Sequence, residues 1–273
     1  MVSKLIYPLM IVLSVASAYV LTKVFAEKYY MSIPALIAGF VIVATVALEI
    51  MYVYSAEWRN NRRHLPIDLV HSFLFFPVIT QLAALSAKFL CTQIFVFDLE
   101  FLPQLFQFLV VLLAGEFLFY WFHRLSHHYD FLWYFHRTHH TVKKVYWANA
   151  AYFHGVDLFF NFFLHGLPLF LFKIDAKVSV FFITLNVVTG LWEHANVNYH
   201  AGKLNFIFNT AEMHRWHHSK NLYESNKNFG KILCVWDIVF HTWYLPLDRH
   251  VGELGIHVDA VKELKSQPLE VNI

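Results

Sequence analysis

The sequence predicts an all-α polytopic membrane protein, with about four transmembrane helices, a membrane hairpin and a cytoplasmic histidine-rich helical cap. Three observations predict it. Of the 273 residues, 58% are hydrophobic and only 15% charged, against roughly 25% charged in an ordinary soluble domain, and the mean hydropathy is +0.46. Apolar runs of about twenty residues, the length that crosses a hydrocarbon core, follow one another through the first half of the chain. Nine of the 18 histidines are gathered into three short clusters.

The first run, Leu5 to Phe25, follows Lys4 and contains Ala16-Ser17-Ala18, which resembles a signal-peptide cleavage site. Its length suits a full span instead, and a second run follows at once from Ile33 to Tyr54. The third, Ile67 to Phe89, is interrupted by Pro77, and the fourth runs from Leu102 to Phe122. A further apolar stretch, Leu158 to Leu191, is broken near Lys173, Asp175 and Lys177 into two shorter arms, the pattern of a hairpin. An even number of passes returns the chain to the side it left, so the histidine clusters before and after the hairpin share one face. That face also carries all of the 21 Lys and Arg residues except Lys23, Lys28, Lys88, Lys173 and Lys177, which by the positive-inside rule makes it cytoplasmic. No Gly/Ser-rich or Pro-rich linker divides the chain. It reads as one integrated domain, with N-terminal transmembrane helices over 1–104, a chemistry-bearing region over 105–250 and a tail over 251–273.

A net charge of +2 without basic and aromatic residues interleaved in a polar stretch argues against nucleic acid as a partner. Cys91 and Cys234 alone form neither a disulfide framework nor a Cys-x-x-Cys pair. The chemistry lies in His123-Arg124-Leu125-Ser126-His127-His128, His136-Arg137-Thr138-His139-His140 and His214-Arg215-Trp216-His217-His218. Residues three and four apart share a helix face, so each cluster can turn two or three imidazoles toward a metal. So many histidines beside a bilayer are costly to keep without a ligand, and neutral imidazole suits Fe, Zn, Cu and Ni. The set exceeds the three ligands of a catalytic zinc site and is enough for two ions. The His-Glu-x-x-His pattern of a zinc protease is absent. Isolated histidines such as His64, His71, His165, His250 and His257 read as structural.

The spacing of these clusters on a multi-span scaffold resembles the fatty acid hydroxylase / sterol desaturase superfamily. The resemblance extends from about Phe117 to Pro246 through His194-Ala195-Asn196, Asn228-Phe229-Gly230, Trp236-Asp237 and Trp243-Tyr244-Leu245-Pro246. It implies a fatty acid hydroxylase-like catalytic region and a non-haem centre of two Fe ions that activates O2 to hydroxylate or desaturate a lipid. Zinc can substitute in an all-nitrogen site. By the same resemblance the metal ligands are His123, His127, His128, His136, His139, His140, His194, His214, His217 and His218. His154 sits where the family has a histidine near the substrate channel, and Asp237 beside Trp236 is a further catalytic candidate. Outer partners of the imidazoles are expected among Glu116, Asp130, Asp157, Glu193, Glu212 and Asp237, since a ligating histidine usually donates its other N–H to a carboxylate or carbonyl.

Breaking an unactivated C–H bond needs a redox metal, because no acid, base or nucleophile among the side chains is adequate. No flavin or nicotinamide fingerprint and no haem-carrier domain is fused to the chain. Electrons are therefore expected from a separate donor: a cytochrome, ferredoxin or reductase. The basic segments Arg59–Arg63 and Lys143–Lys144 are candidate contacts for it, or for lipid headgroups. Two readings from other classes compete: a histidine-rich metal transporter, which would string ionisable ligands through the spans, and a zinc-dependent membrane hydrolase, which would need no O2.

Overall fold

A computed structural model describes residues 3–60 and 63–256. Arg62, His257, Lys262, Lys265 and all but the first residues of the expected 251–273 tail lie outside the described residues. Helix α1 (Ser3–Val24) leads through a 3-10 turn into α2 (Ile33–Met51), followed by short α3 (Ala56–Asn60). Helix α4 (Leu65–Val70), a π turn at His71–Phe75 and α5 (Phe76–Cys91) then run on as one rod. Pro77 explains the π turn. A proline lacks the N–H of its own turn and crowds the carbonyl four residues earlier, and widening the preceding turn, with Phe76 N donating to His71 O, absorbs the misfit.

Helix α6 (Gln104–His128) is followed almost directly by α7 (Asp130–His140). After a 3-10 turn at Trp147–Ala151 come α8 (Gly155–Gly166), α9 (Pro168–Leu171), α10 (Ala176–Glu193), α11 (Ala211–His217), α12 (Leu222–Ser225) and α13 (Val235–Val239). The four expected spans are all present, and α10, at 18 residues, is a fifth helix long and apolar enough to cross a membrane. Only the other arm of the expected hairpin, Gly155–Leu171, is shorter.

The hairpin is splayed. Helix α8 packs on α5 and α6, whereas α10 packs on α1, α2 and α6. Gly115 of α6 permits the close approach of α8, since a Cβ there would lie 2.6 Å from His165 O. Two-residue strands β1 (Phe97–Asp98) and β2 (Phe172–Lys173) pair in parallel, Phe97 opposite Phe172 and Asp98 opposite Lys173. This pairing pins the hairpin turn to the loop that precedes α6. The end of α6 that carries His123 and His127 and the end of α10 that leads into His194 are therefore together at the opposite end of the bundle.

The outward faces of the spans carry exposed Leu9, Val12, Phe40, Val43, Leu74 and Phe89, a belt far larger than a soluble monomer tolerates. Inward, the rings of Tyr7 and Tyr199 stack at 5.4 Å beside Trp192, and Ile33, Val41 and Val188 are fully buried around them. Buried Glu49, near the end of α2, accepts from Trp147 N at 2.9 Å and Asn196 N at 3.1 Å. One carboxylate thus ties a span to both loops that support the histidines.

Candidate metal centre

Nine histidines meet at this end of the bundle in two groups. His123, His127, His136, His140 and His217 form one, and His139, His194, His214 and His218 the other, with the ligating atoms of each group within 4.8 Å of one another. The histidines of one cluster do not all fall in one group. On a helix the residue at i+4 lies about 40° to one side of residue i and that at i+3 about 60° to the other, so neighbouring histidines diverge. The i, i+4 pairs stay together (His123 with His127, His136 with His140, His214 with His218), while His139 and His217 cross to the other group. The groups abut: the rings of His140 and His218 stack at 4.8 Å.

All nine imidazoles are buried, and six are held by their Nδ1 atoms. His136 donates to Asp157 Oδ2 at 3.0 Å, His127 to Asn226 Oδ1 at 3.1 Å and His194 to Asn149 Oδ1 at 3.0 Å. His123 donates to Phe229 O at 2.8 Å, His217 to Lys227 O at 2.8 Å and His139 to Tyr152 O at 3.3 Å. Every one of these partners presents an accepting oxygen, which puts the proton on Nδ1 and leaves the Nε2 lone pair directed inward. The Nε2 atoms of His123, His194 and His217 are buried without a protein partner among the described residues. His140 Nε2 lies 3.1 Å from His127 Nε2 and 3.0 Å from His136 Nε2, and His218 Nε2 lies 3.1 Å from His139 Nε2 and 3.0 Å from His214 Nε2. Each could donate to only one such neighbour, so lone pairs face one another. A cation about 2.1 Å from each nitrogen, with neighbouring ligands near 90°, would set them about 3.0 Å apart. The residues present fit two metal ions.

Burial pushes the pKa values of His139, His140, His214 and His218 well below the usual imidazole range, with neighbouring imidazoles adding to the effect. His194 is pushed to about 3 by burial and then by the Lys231 ammonium, and His217 to about 3 by burial and then by His136. Neutral imidazole is the form that binds metal. The sign of the pH dependence follows. An unfolded histidine titrates near 6.5, so between about pH 6.5 and 3 the unfolded chain binds more protons than the folded one. The stability contributed by the neutral set is complete above about pH 6.5 and is lost as the pH falls through that window. Metal-stripped protein in detergent is expected to show a thermal midpoint that drops as pH is lowered below about 6.5; a flat profile down to pH ~4.5 would contradict this.

His128, one of the ten expected ligands, is exposed and belongs to neither group. Five residues after His123, it points about 140° round the helix from it and packs its ring against Tyr129. His154 is half-buried and likewise outside both groups; its Nδ1 accepts from Val156 N at 3.2 Å as the N-cap of α8. Asp237 is buried, and among the described residues its hydrogen bonds go to no imidazole of the two groups. Its oxygens accept from Phe229 N and Gly230 N, both at 2.7 Å, and from Thr242 Oγ1 at 2.6 Å, and burial outweighs these donors to push its carboxyl up to about 6. It thereby presents Phe229 O to His123. Asn228, at φ 57°, bonds Met213 O and Tyr244 O, and at Gly230 a Cβ would fall 2.2 Å from Leu233 O. The Asn-Phe-Gly motif is thus a backbone device that aims one carbonyl at one imidazole, that of His123.

Of the other carboxylates, Asp157 reaches an imidazole of the two groups directly. Glu116 accepts from His165 Nε2 at 2.8 Å and from the backbone of Ile232 and Leu233. Glu212 binds His200, Ala201 N and Asn205. Residue types alone gave no signal for Asn149, Asn226 and the carbonyls of Tyr152 and Lys227, because amides and backbone oxygens at these positions look like ordinary loop.

The family model described as Fatty acid hydroxylase matches residues 108–242, the stretch that carries all three clusters and the motifs just described. The molecule is a multi-pass membrane oxidoreductase of the lipid hydroxylase and desaturase type, and the chain belongs to the fatty acid hydroxylase / sterol desaturase superfamily. It is 29% identical over 281 residues to the ornithine lipid hydroxylase OlsE of Rhizobium tropici, covering 97% of this chain and 82% of the relative. It is 31% identical over 155 residues to alkylglycerol monooxygenase of Homo sapiens, covering 57% of this chain and 34% of that protein. With the Delta(7)-sterol 5(6)-desaturase ERG3A of Gibberella zeae it shares 30% identity over 145 residues, 52% of this chain and 38% of the relative. No solved structure matches the chain.

Proposed function

We propose that this protein is a non-haem diiron oxygenase that uses O2 and electrons from a separate donor to hydroxylate or desaturate a membrane lipid. The observation that carries the reading is the pair of abutting histidine groups, nine buried imidazoles with their Nε2 atoms converging and six of their Nδ1 atoms fixed from outside. One ion would be held by His123, His127, His136, His140 and His217, the other by His139, His194, His214 and His218. Bound there, iron supplies the redox chemistry that an unactivated C–H bond demands and that the side chains lack.

The chain's own part is to orient and to exclude water. Phe119 and Phe153 line the small pocket that faces both groups, and the ring of Phe153 stacks on His139 at 4.0 Å. Asp237 acts as a positioning residue through Phe229, and His154 by starting α8, the helix that carries Asp157. The distribution of Lys and Arg supports a cytoplasmic metal centre, where a cytochrome, ferredoxin or reductase can reach it. The polar groups within the spans favour an enzyme over a transporter: Glu49, Glu116 and His165 are each engaged in hydrogen bonds that tie helices and loops together.

The test is comparative lipid mass spectrometry of cells with and without the active protein. A lipid that gains one oxygen or loses two hydrogens is expected, and only when O2 is supplied. Undiminished turnover under strict anaerobiosis would favour the zinc hydrolase instead.

A further inference from the structure

A cavity of about 410 Å³ lies between α2, α5 and α10 and reaches the 3-10 turn Trp147–Ala151. Its size is that of a ligand site, and its walls are apolar and small-residued, with Ala38, Gly39, Phe76 and Gly190 among them. The hydroxyls of Ser72 and Thr80 in that lining donate to Ala148 O and Phe76 O, and Asn186 bonds His165. Lys231 is the one charged side chain lining it among the described residues. Lys231, Ala150 and Phe153 also line the small pocket that touches His123, His136, His139, His194 and His214. The apolar cavity therefore ends against the metal centre, with an ammonium at the junction.

That ammonium is held but not used up. Its Nζ is 3.6 Å from Glu193 Oε2, a long ion pair that occupies at most one of three N–H donors. The rings of Phe119 and Phe162 flank it at 5.7 and 5.8 Å. The absence of a side chain at Gly190 leaves it room, since a Cβ there would come within 3.1 Å of Nζ. A cation between aromatic rings and only 13% exposed attracts an oxygen acceptor more strongly than it would in bulk solvent.

We infer that Lys231 is the polar anchor of the substrate: it binds a carbonyl or carboxylate oxygen of the lipid beside the metal centre while the hydrocarbon tail lies in the apolar cavity. The inference rests on the oxygenase reading of this site and adds to it a regiochemistry. With its oxygen about 3 Å from Nζ, the lipid presents to the histidine groups the carbons within a few bonds of that oxygen, and not the middle or the far end of the chain.

The test uses the full-length, metal-loaded protein in detergent with extracted membrane lipids, comparing wild type, K231R, K231M and the double variant K231M/E193Q. The double variant removes both charges, so no buried carboxylate is left unpaired to unfold the protein. Tandem mass spectrometry should place the new oxygen or double bond within a few bonds of a carbonyl or carboxylate carbon. K231M/E193Q should keep its metal and its thermal midpoint, yet show a KM raised roughly ten- to hundredfold, the loss of one charge-assisted hydrogen bond, together with scattered positions of oxidation. K231R should stay close to wild type. Native mass spectrometry of co-purified lipid gives a readout independent of turnover: lipid retained by wild type should be lost from the double variant. Equal retention in the two, or oxidation confined to mid-chain, overturns the anchor. A wild-type enzyme that retains lipid through Lys231 but oxidises nothing overturns the oxygenase reading and leaves the anchor standing.

Discussion

Replacing His218 with alanine is expected to lower bound metal from about two ions per chain to about one and to reduce lipid oxidation by at least ~100-fold, while His128→Ala and His250→Ala change neither. The asymmetry follows from position. His218 Nε2 lies within 3.1 Å of the Nε2 atoms of both His139 and His214, at the centre of the four-histidine group. Removing it leaves three nitrogens and a gap where the ion needs a donor, whereas the five-histidine group keeps its full set. His140→Ala is the mirror experiment, because His140 bridges His127 and His136 in the five-membered group. It too should retain about one ion, with activity equally lost if both metals act together. Loss of even an outer partner typically costs 10–100-fold, so a direct ligand sets a higher floor. Metal content by plasma mass spectrometry, read beside product formation, checks both variants. Wild-type metal content in either one would remove that histidine from the centre.

The split that makes these two variants differ was only half legible in the sequence. Helical periodicity brings histidines three and four apart onto one face, and the clusters did converge. What periodicity does not say is that the histidines of one face divide between two groups on either side of it. The 100° between His139 and His140 becomes decisive only when α7 packs on α6 and its histidine rings meet those of α11, which is a tertiary fact. His128 illustrates the same limit from the other direction, since a motif aligned by residue type keeps a histidine that helix geometry turns outward. The spans were legible because length and apolarity are local properties. The separate packing of α8 and α10 was not, because it depends on how closely Gly115 lets α6 approach His165. Asp157 was visible as a carboxylate near a cluster, but so were Glu116 and Glu212, and only the folded chain distinguishes the one that reaches an imidazole from those that tie down loops.

That distinction gives the second large effect. Asp157→Asn is expected to weaken metal binding about 10–100-fold without unfolding the protein, and Asp157→Leu to weaken it further. In the wild type, Asp157 Oδ2 accepts from His136 Nδ1 at 3.0 Å while Oδ1 accepts from Asn161 Nδ2 at 3.0 Å. The carboxylate fixes the His136 tautomer and, being anionic, raises the electron density that Nε2 offers an ion. Asparagine can keep the geometry: its carbonyl still accepts from His136, and its amide can donate to Asn161 once that side chain turns its otherwise unpartnered Oδ1 inward. The charge alone is lost, so the variant separates electrostatic tuning from architecture. Leucine removes the acceptor as well, leaving a buried N–H unsatisfied and the ring free to rotate. Chelator competition should therefore rank wild type above Asn above Leu in affinity, with thermal midpoints of the metal-stripped proteins closest for wild type and Asn. An Asn variant that holds metal as tightly as wild type would show that the aspartate is there only to cap its own surroundings, and that His136 owes its orientation to packing between α6 and α7.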